Sequence, residues 1–154
     1  MFLIYKMYNT MRVQKRNGDY EDVSFDKILK RIKSLCTGPE FSKKLMIDPT
    51  IIAQKVCSEI YDEVKTTKLD ELSSRSAISM YSKDPEYGKL ASRIVISNHH
   101  KRTSSLYSDV IEVLYKNDVI QEYLYELVMD NRELINDKIN DMKDYDIDFF
   151  GFKT

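Results

Sequence analysis

Cysteine is scarce in this chain. Cys36 and Cys57 are the two that occur among 154 residues, and they fall in separate predicted helices without zinc-ligand spacing. That argues against a zinc ribbon and a disulfide framework; both side chains are expected as buried thiols of a reducing, cytoplasmic compartment. Long apolar runs are missing too. The stretch Met1-Phe2-Leu3-Ile4-Tyr5 is too short for the core of a signal peptide and far too short to cross a bilayer. An excess of one charge is absent: the formal net charge is -1. No general basic field exists, so DNA or RNA binding through phosphate neutralisation is not indicated, although a local anion site remains compatible. There is no internal repeat, low-complexity tract or long Gly/Ser linker. What is there, 42% hydrophobic and 32% charged residues, fits a soluble globular protein rather than a disordered one. The length gives room for one domain with a real core or for two small ones.

The most informative stretch runs from Val13 to Lys27. Two short β segments flank Asn17-Gly18, a pair that favours a type I′ turn because both residues tolerate positive φ. The second segment leads directly into a helix, with Ser24 where an N-cap belongs. Phe25, Ile28, Leu29, Ile32 and Leu35 then recur at helical spacing and form one apolar face. Lys15 and Arg16 end the first strand. Lys27 sits in the first turn of the helix, where free N–H groups and the macrodipole favour an anion rather than a cation. Three basic groups around a helix N-terminus suit a polyphosphate. The same residues are equally compatible with an ordinary hairpin–helix carrying solvated charges, and the spacing alone leaves both readings open.

Further helices follow. Thr37-Gly38-Pro39 ends the first helix, and Asp48-Pro49 starts the next as cap and first position, with Ile52, Val56 and Ile60 as its stripe and Tyr61 and Val64 near its end. Thr67 and Asp70 have the form of a capping box opening a third helix, packed through Leu69, Leu72 and Met80 and made narrow by Ser73, Ser76 and Ala77. Asp84-Pro85 starts a fourth, which packs through Tyr87, Leu90, Ala91, Ile94 and Ile96 and ends in Asn98-His99-His100-Lys101-Arg102. Neighbouring histidines diverge on a helix, so His99 and His100 make a poor metal pair. Beyond residue 103 the pattern stays helical, with stripes at Tyr107-Val110-Ile111-Leu114, at Tyr123-Leu124-Leu127-Val128 after an expected cap at Asp118, and at Leu134-Ile135-Ile139. These stripes are expected as core, docked on the preceding helices or on a further domain. Asp144-Tyr145-Asp146-Ile147-Asp148 lacks the glycine and later glutamate of a calcium loop. The fold class is therefore mainly α with a small N-terminal β-hairpin (α+β).

A series of motifs in fixed order adds to this reading. Lys15-Arg16-Asn17-Gly18 continues through Glu21, Val23, Ser24, Phe25, Asp26 and Lys27. It is followed by Asp48-Pro49, Thr66-Thr67-Lys68-Leu69-Asp70, Asp84-Pro85-Glu86-Tyr87, Leu90-Ala91-Ser92-Arg93-Ile94, Ser97-Asn98-His99-His100-Lys101 and Phe149-Phe150-Gly151-Phe152-Lys153-Thr154. From Met11 to Thr154 this resembles the N-terminal region of class I ribonucleotide reductase large chains: an ATP-cone, the allosteric nucleotide-binding module, and the helical segment after it. The resemblance implies an extension at 1–10, either disordered or upstream of a functional start at Met11. It implies a cone at 11–103 and a helical segment at 104–154 leading into a catalytic barrel. The implied effector is ATP or dATP with Mg2+, its triphosphate on Lys15, Arg16, Lys27 and Lys101. Base and sugar fall to Glu21, Ser24, Thr66 and Asp70, with Asp22, Val23, Phe25 and Asp26 completing the binding stretch. Lys65 and Lys68 stand where relatives carry less basic residues. The implied partners are the remainder of the large chain, the radical-generating small subunit and further copies of the cone, with neither nucleic acid nor membrane. No catalytic or metal-binding residue is assigned, because the radical and redox cysteines of the family lie on the barrel and neither Cys36 nor Cys57 matches them. Reductase activity is not expected from this polypeptide alone, read as a fragment or one piece of a split enzyme. Two competing readings are a helical interaction module that has lost nucleotide binding and a stand-alone nucleotide-sensing regulator; the second normally carries the zinc ribbon missing here.

Overall fold

Asn17-Gly18 does turn the chain, but not as a two-residue type I′ loop. In the computed structural model, which describes residues 11–154, strands β1 (Arg12–Gln14) and β2 (Tyr20–Asp22) pair antiparallel with Val13 opposite Glu21. The extension expected at residues 1–10 lies outside the described residues. Lys15 N–H donates to Asp19 O at 2.7 Å and Gly18 N–H to Lys15 O at 3.0 Å. The loop is thus Arg16-Asn17-Gly18. Gly18 has φ +93° while Asn17 keeps a negative φ, the pattern of a type I turn closed by a left-handed bulge residue. Asn17 Nδ2 donates to the Asp19 carboxylate at 2.7 Å, a local bond that favours this longer loop.

Helix α1 (Phe25–Thr37) begins as expected: Ser24 Oγ accepts from Lys27 N–H at 3.4 Å. Asp48 caps α2 (Pro49–Glu59) by accepting from Thr50 N–H at 2.8 Å. A third strand was not legible. β3 (Val64–Lys65) lies parallel to β1, Val13 beside Val64, giving the sheet order β2-β1-β3. Two residues are too few to show alternation, and Glu63 reaches the strand through a positive φ of 63°. The capping box at Thr67 and Asp70 does not form. Helix α3 (Thr66–Ile78) starts two residues earlier, Lys65 is its N-cap, and no side chain caps it. The Asp70 carboxylate is drawn instead to cations from elsewhere in the chain. Helix α4 (Glu86–His100) begins after Pro85, and Asp84 accepts from Glu86 N–H at 2.8 Å.

The core lies among α1, α2, α3 and α4. Ile32, Ile52, Val56, Leu90 and Ile94 are buried there, each contributing about 1.5–3 kcal/mol by leaving water. Arg93 is buried in the same layer. Its guanidinium donates to the carbonyls of Leu35 (2.9 Å), Cys36 (3.2 Å) and Lys43 (2.6 Å) and stacks 3.9 Å over the Phe41 ring. It thereby satisfies the Leu35 carbonyl that the end of α1 leaves free and shares that of Cys36 with the Leu45 N–H (2.9 Å). Cys36 is buried as expected, and burial pushes its thiol up to about 11. Cys57 is half-buried rather than buried.

Helices α5 (Tyr107–Lys116), α6 (Glu122–Asp130) and α7 (Arg132–Lys138) pack on one another. Their stripes are not the core that was expected. Ile111 and Val128 are buried, but Tyr107, Val110, Leu124, Leu127, Leu134 and Ile139 stay exposed, and Tyr123 is 74% exposed. Three short helices give each face too few neighbours to cover it. Asp118 does not cap α6, whose N-cap is Gln121; it turns the chain after α5 at φ 56°, a conformation aspartate tolerates better than most residues. The last segment folds back on α4: a 3-10 turn (Asp141–Asp146) and α8 (Phe149–Lys153). Tyr145 meets Phe41 edge-on at 5.0 Å, Ser92 Oγ donates to Ile147 O at 2.5 Å, and Phe149 packs against the core.

Replacing Arg93 by Ala strands the carbonyls of Leu35 and Lys43, while that of Cys36 keeps the Leu45 N–H at 2.9 Å, and is expected to cost about 3 kcal/mol of stability. Urea unfolding of the full chain measures it; a loss below about 1 kcal/mol would mean that water replaces the guanidinium without penalty.

Candidate functional site

A cavity of about 340 Å³ opens between the hairpin, the first two turns of α1, the start of α3 and the end of α4. Each wall follows from a local rule. Val13 and Val23 come from the sheet and the strand-to-helix junction, Ile28 from the inner face of α1, and Leu69 from α3. Together they form an apolar floor suited to a flat ring. Thr66, Asp70 and Ser73 share one face of α3 at i, i+4 and i+7 and turn polar atoms toward the same space.

The cavity's charges are uneven. Lys15, Arg16, Lys27, Arg31 and Lys101 line it against the carboxylates Glu21, Asp22 and Asp70, five cations to three anions. Two carboxylates organise most of the cations. Glu21 holds Lys15 and Lys27 together across the mouth. The hydrogen bonds from those two ammonium groups depress the Glu21 carboxyl to about 2, and the bond to Glu21 raises the Lys15 ammonium. Deeper in, Asp70 is 7% exposed and lies 3.4 Å from Arg16, 3.4 Å from Arg31 and 3.7 Å from Lys101. Burial pushes the Lys101 ammonium below its ordinary value; Asp70 pulls it up, while Arg31 and Arg16 push it further down. Three cations on one carboxylate leave a local surplus of positive charge in a half-dry place, which an incoming anion would relieve.

The last turn of α4 supports these cations from one side. Arg31 donates to Ser97 Oγ at 2.8 Å, and Arg16 to Asn98 Oδ1 at 2.5 Å. The intervening residues face the other way. His99 meets the Phe152 ring at 5.5 Å, and His100 Nε2 lies 2.8 Å from the Asp144 carboxylate.

Of the residues singled out in the sequence, Lys15, Arg16, Glu21, Asp22, Val23, Ser24, Lys27, Thr66, Asp70 and Lys101 line this one cavity. Phe25 and Asp26 do not; both are exposed on the outer side of α1's first turn. Sequence reasoning missed Arg31, Ser73, Ser97 and Asn98. Arg31 stands four residues after Lys27, and Ser97 four before Lys101, so helical spacing from the chosen cations was the available signal. Among the described residues no cluster of three metal-ligating side chains occurs.

Comparison with known proteins gives a consistent picture. The model of the ATP cone domain matches residues 11–102. The chain is similar to the N-terminal regions of ribonucleoside-diphosphate reductase large subunits. It is 42% identical over 153 residues to that of Dictyostelium discoideum, covering 94% of this chain and 18% of that protein. It is 37% identical to that of Arabidopsis thaliana over 94% of this chain and 18% of that protein, and 40% identical to that of Monkeypox virus over 94% and 20%. The chain thus spans about a fifth of the length of these relatives.

Because the folded Glu21 carboxyl titrates below its ordinary value, its ion pairs stabilise the fold at neutral pH, and that contribution fades as pH falls from 4.5 toward about 2. Carbon-detected NMR titration is expected to place the Glu21 carboxyl midpoint near 2, and Glu21→Gln to flatten stability against pH across that window. A midpoint at 4.5 would mean that the two lysines do not hold the carboxylate in solution.

Proposed function

Since this chain belongs to the ATP-cone family, we propose that its cavity is the effector site of a ribonucleotide reductase large chain, taking ATP or dATP and setting the activity and assembly state of the whole enzyme. Residues 11–103 form the cone, and 104–154 the helical segment that leads toward a catalytic barrel. The observation that carries the reading is the meeting of Arg16, Arg31 and Lys101 at Asp70, beside an apolar floor. Those cations come from a hairpin loop, α1 and the end of α4, and a triphosphate is an anion large enough to engage them together with Lys15 and Lys27. Val13, Ile28 and Leu69 offer the base a dry contact. Thr66, Asp70 and Glu21 offer acceptors and a hydroxyl to the sugar and the base edge.

The Mechanism is a linkage. Free, the cluster satisfies its cations internally through Asp70 and Glu21. Bound phosphate takes over part of that role and frees those carboxylates for the ligand's hydroxyls and base. The ribose 2′-hydroxyl separates ATP from dATP, and it can move an assembly equilibrium only by as much as the two assemblies differ in affinity for it. Magnesium bound with the phosphates would spread their charge. The exposed apolar residues of α5–α7, Val113, Tyr123 and Leu134 among them, are where the remainder of the large chain packs. The small subunit and further copies of the cone complete the assembly.

Calorimetry with ATP and dATP tests the site, and no heat and no thermal shift at millimolar ligand would reject it. The double variant Lys15→Ala/Arg16→Ala removes two charge-assisted contacts and is expected to weaken triphosphate binding roughly 30-fold or more while costing about 1 kcal/mol of stability. Equal losses in both would count against the assignment.

A phosphate beside Lys101 restores the protonation that burial disfavours. Binding is therefore expected to take up protons at alkaline pH, and affinity to fall as pH rises through the lowered Lys101 value. Titrations in buffers of different ionisation enthalpy measure the uptake. An uptake that persists in Lys101→Met would assign it to another group.

A further inference from the structure

A second concavity, of about 600 Å³, adjoins the first on the far side of Lys15, Arg16, Thr66 and Lys101, which line both. Beyond those shared residues it has a different character. It has little apolar floor, and its added cations are Lys65 and Arg102. Its carboxylate, Glu71, is already paired with Lys68 at 2.8 Å. Among the described residues neither Lys65 nor Arg102 forms an ion pair.

The backbone makes this arrangement deliberate in place. The parallel register sets Lys65 beside Gln14, the residue before Lys15, and all three line the groove. Arg102 follows Lys101 directly, its N–H held by His99 O at 2.8 Å. Helix α3 then opens into the groove with a lysine at its N-cap, no capping side chain and no acid in its first turn. A cation at a helix N-terminus opposes the macrodipole, and free amides there lack acceptors. An anion seated between Lys65, Arg102 and the first turn of α3 answers both deficits.

We propose that Lys65, Thr67 and Arg102 form a second phosphate subsite, continuous with the effector cavity, which takes the terminal phosphates of a chain longer than three. The proposal rests on the nucleotide reading of the first cavity. Base and sugar occupy the apolar cavity, the first phosphates cross the four shared residues, and further phosphates run on into the basic groove. A triphosphate leaves Lys65 and Arg102 unneutralised; a tetraphosphate reaches them. The site thus discriminates by phosphate number, a property independent of the base.

The test is calorimetric titration of the full 154-residue chain with ATP and with adenosine 5′-tetraphosphate, repeated on Lys65→Gln/Arg102→Gln. Circular dichroism verifies that the variant folds. The tetraphosphate is expected to bind roughly tenfold tighter than ATP to the unaltered chain. In the variant that gain disappears while ATP affinity stays within about twofold. Equal affinity of the two ligands for the unaltered chain overturns the proposal while leaving the effector site standing. Equal proportional losses for both ligands in the variant overturn it too, as does a stoichiometry of two ATP per chain, which would make the groove a separate site. If neither ligand binds, the effector reading itself falls, and this proposal with it.

Discussion

A carboxylate removed from water has to be compensated, and in this molecule that requirement falls on Asp70. Leaving it buried and unpaired would cost several kcal/mol. Arg16, Arg31 and Lys101 meet it from three separate elements. Their arrival depends on everything beneath them. The hairpin loop brings Arg16, the inner face of α1 brings Arg31, and the packing of α3 on α4 brings Lys101 within reach. Satisfying one acid in this way concentrates more positive charge than it neutralises. The excess gives the cavity its preference for an anionic ligand, so the stabilising contact and the binding property arise from the same groups.

Glu21 does related work under different conditions. It joins Lys15 and Lys27 at the exposed mouth, where solvent and salt weaken each pair. Its contribution is therefore more geometric than energetic. It keeps two mobile lysines pointed across the opening and limits the side-chain freedom that a ligand would otherwise have to remove. The inner cluster fixes positions through burial and the outer one through tethering.

The sequence revealed local structure and local charge well. Ser24 and Asp48 were readable as caps because a single side-chain oxygen decides each, and α1 through α4 were readable because their apolar periods are regular. Ten of the singled-out residues meet at one cavity, since motif and spacing carry that information. Failures occurred where a tertiary partner overrode a local rule. Asp70 looked like half of a capping box until three distant cations claimed it. β3 is too short to have a period, and the loop at Gly18 was lengthened by the Asn17–Asp19 contact. The stripes of α5–α7 have the helical period but too little around them to bury it, because periodicity tells which side of a helix is apolar and not what covers it.

The end of α4 serves two neighbourhoods at once. Ser97, Asn98 and Lys101 reach the cation cluster, while His99 and His100 grip Phe152 and Asp144 on the opposite side. A helical turn is stiff, so these five side chains cannot be repositioned independently. Twisting or unwinding that turn to reshape one neighbourhood must drag the other, as a crankpin carries both of its arms. The C-terminal aromatics are thus mechanically geared to the cavity without touching it.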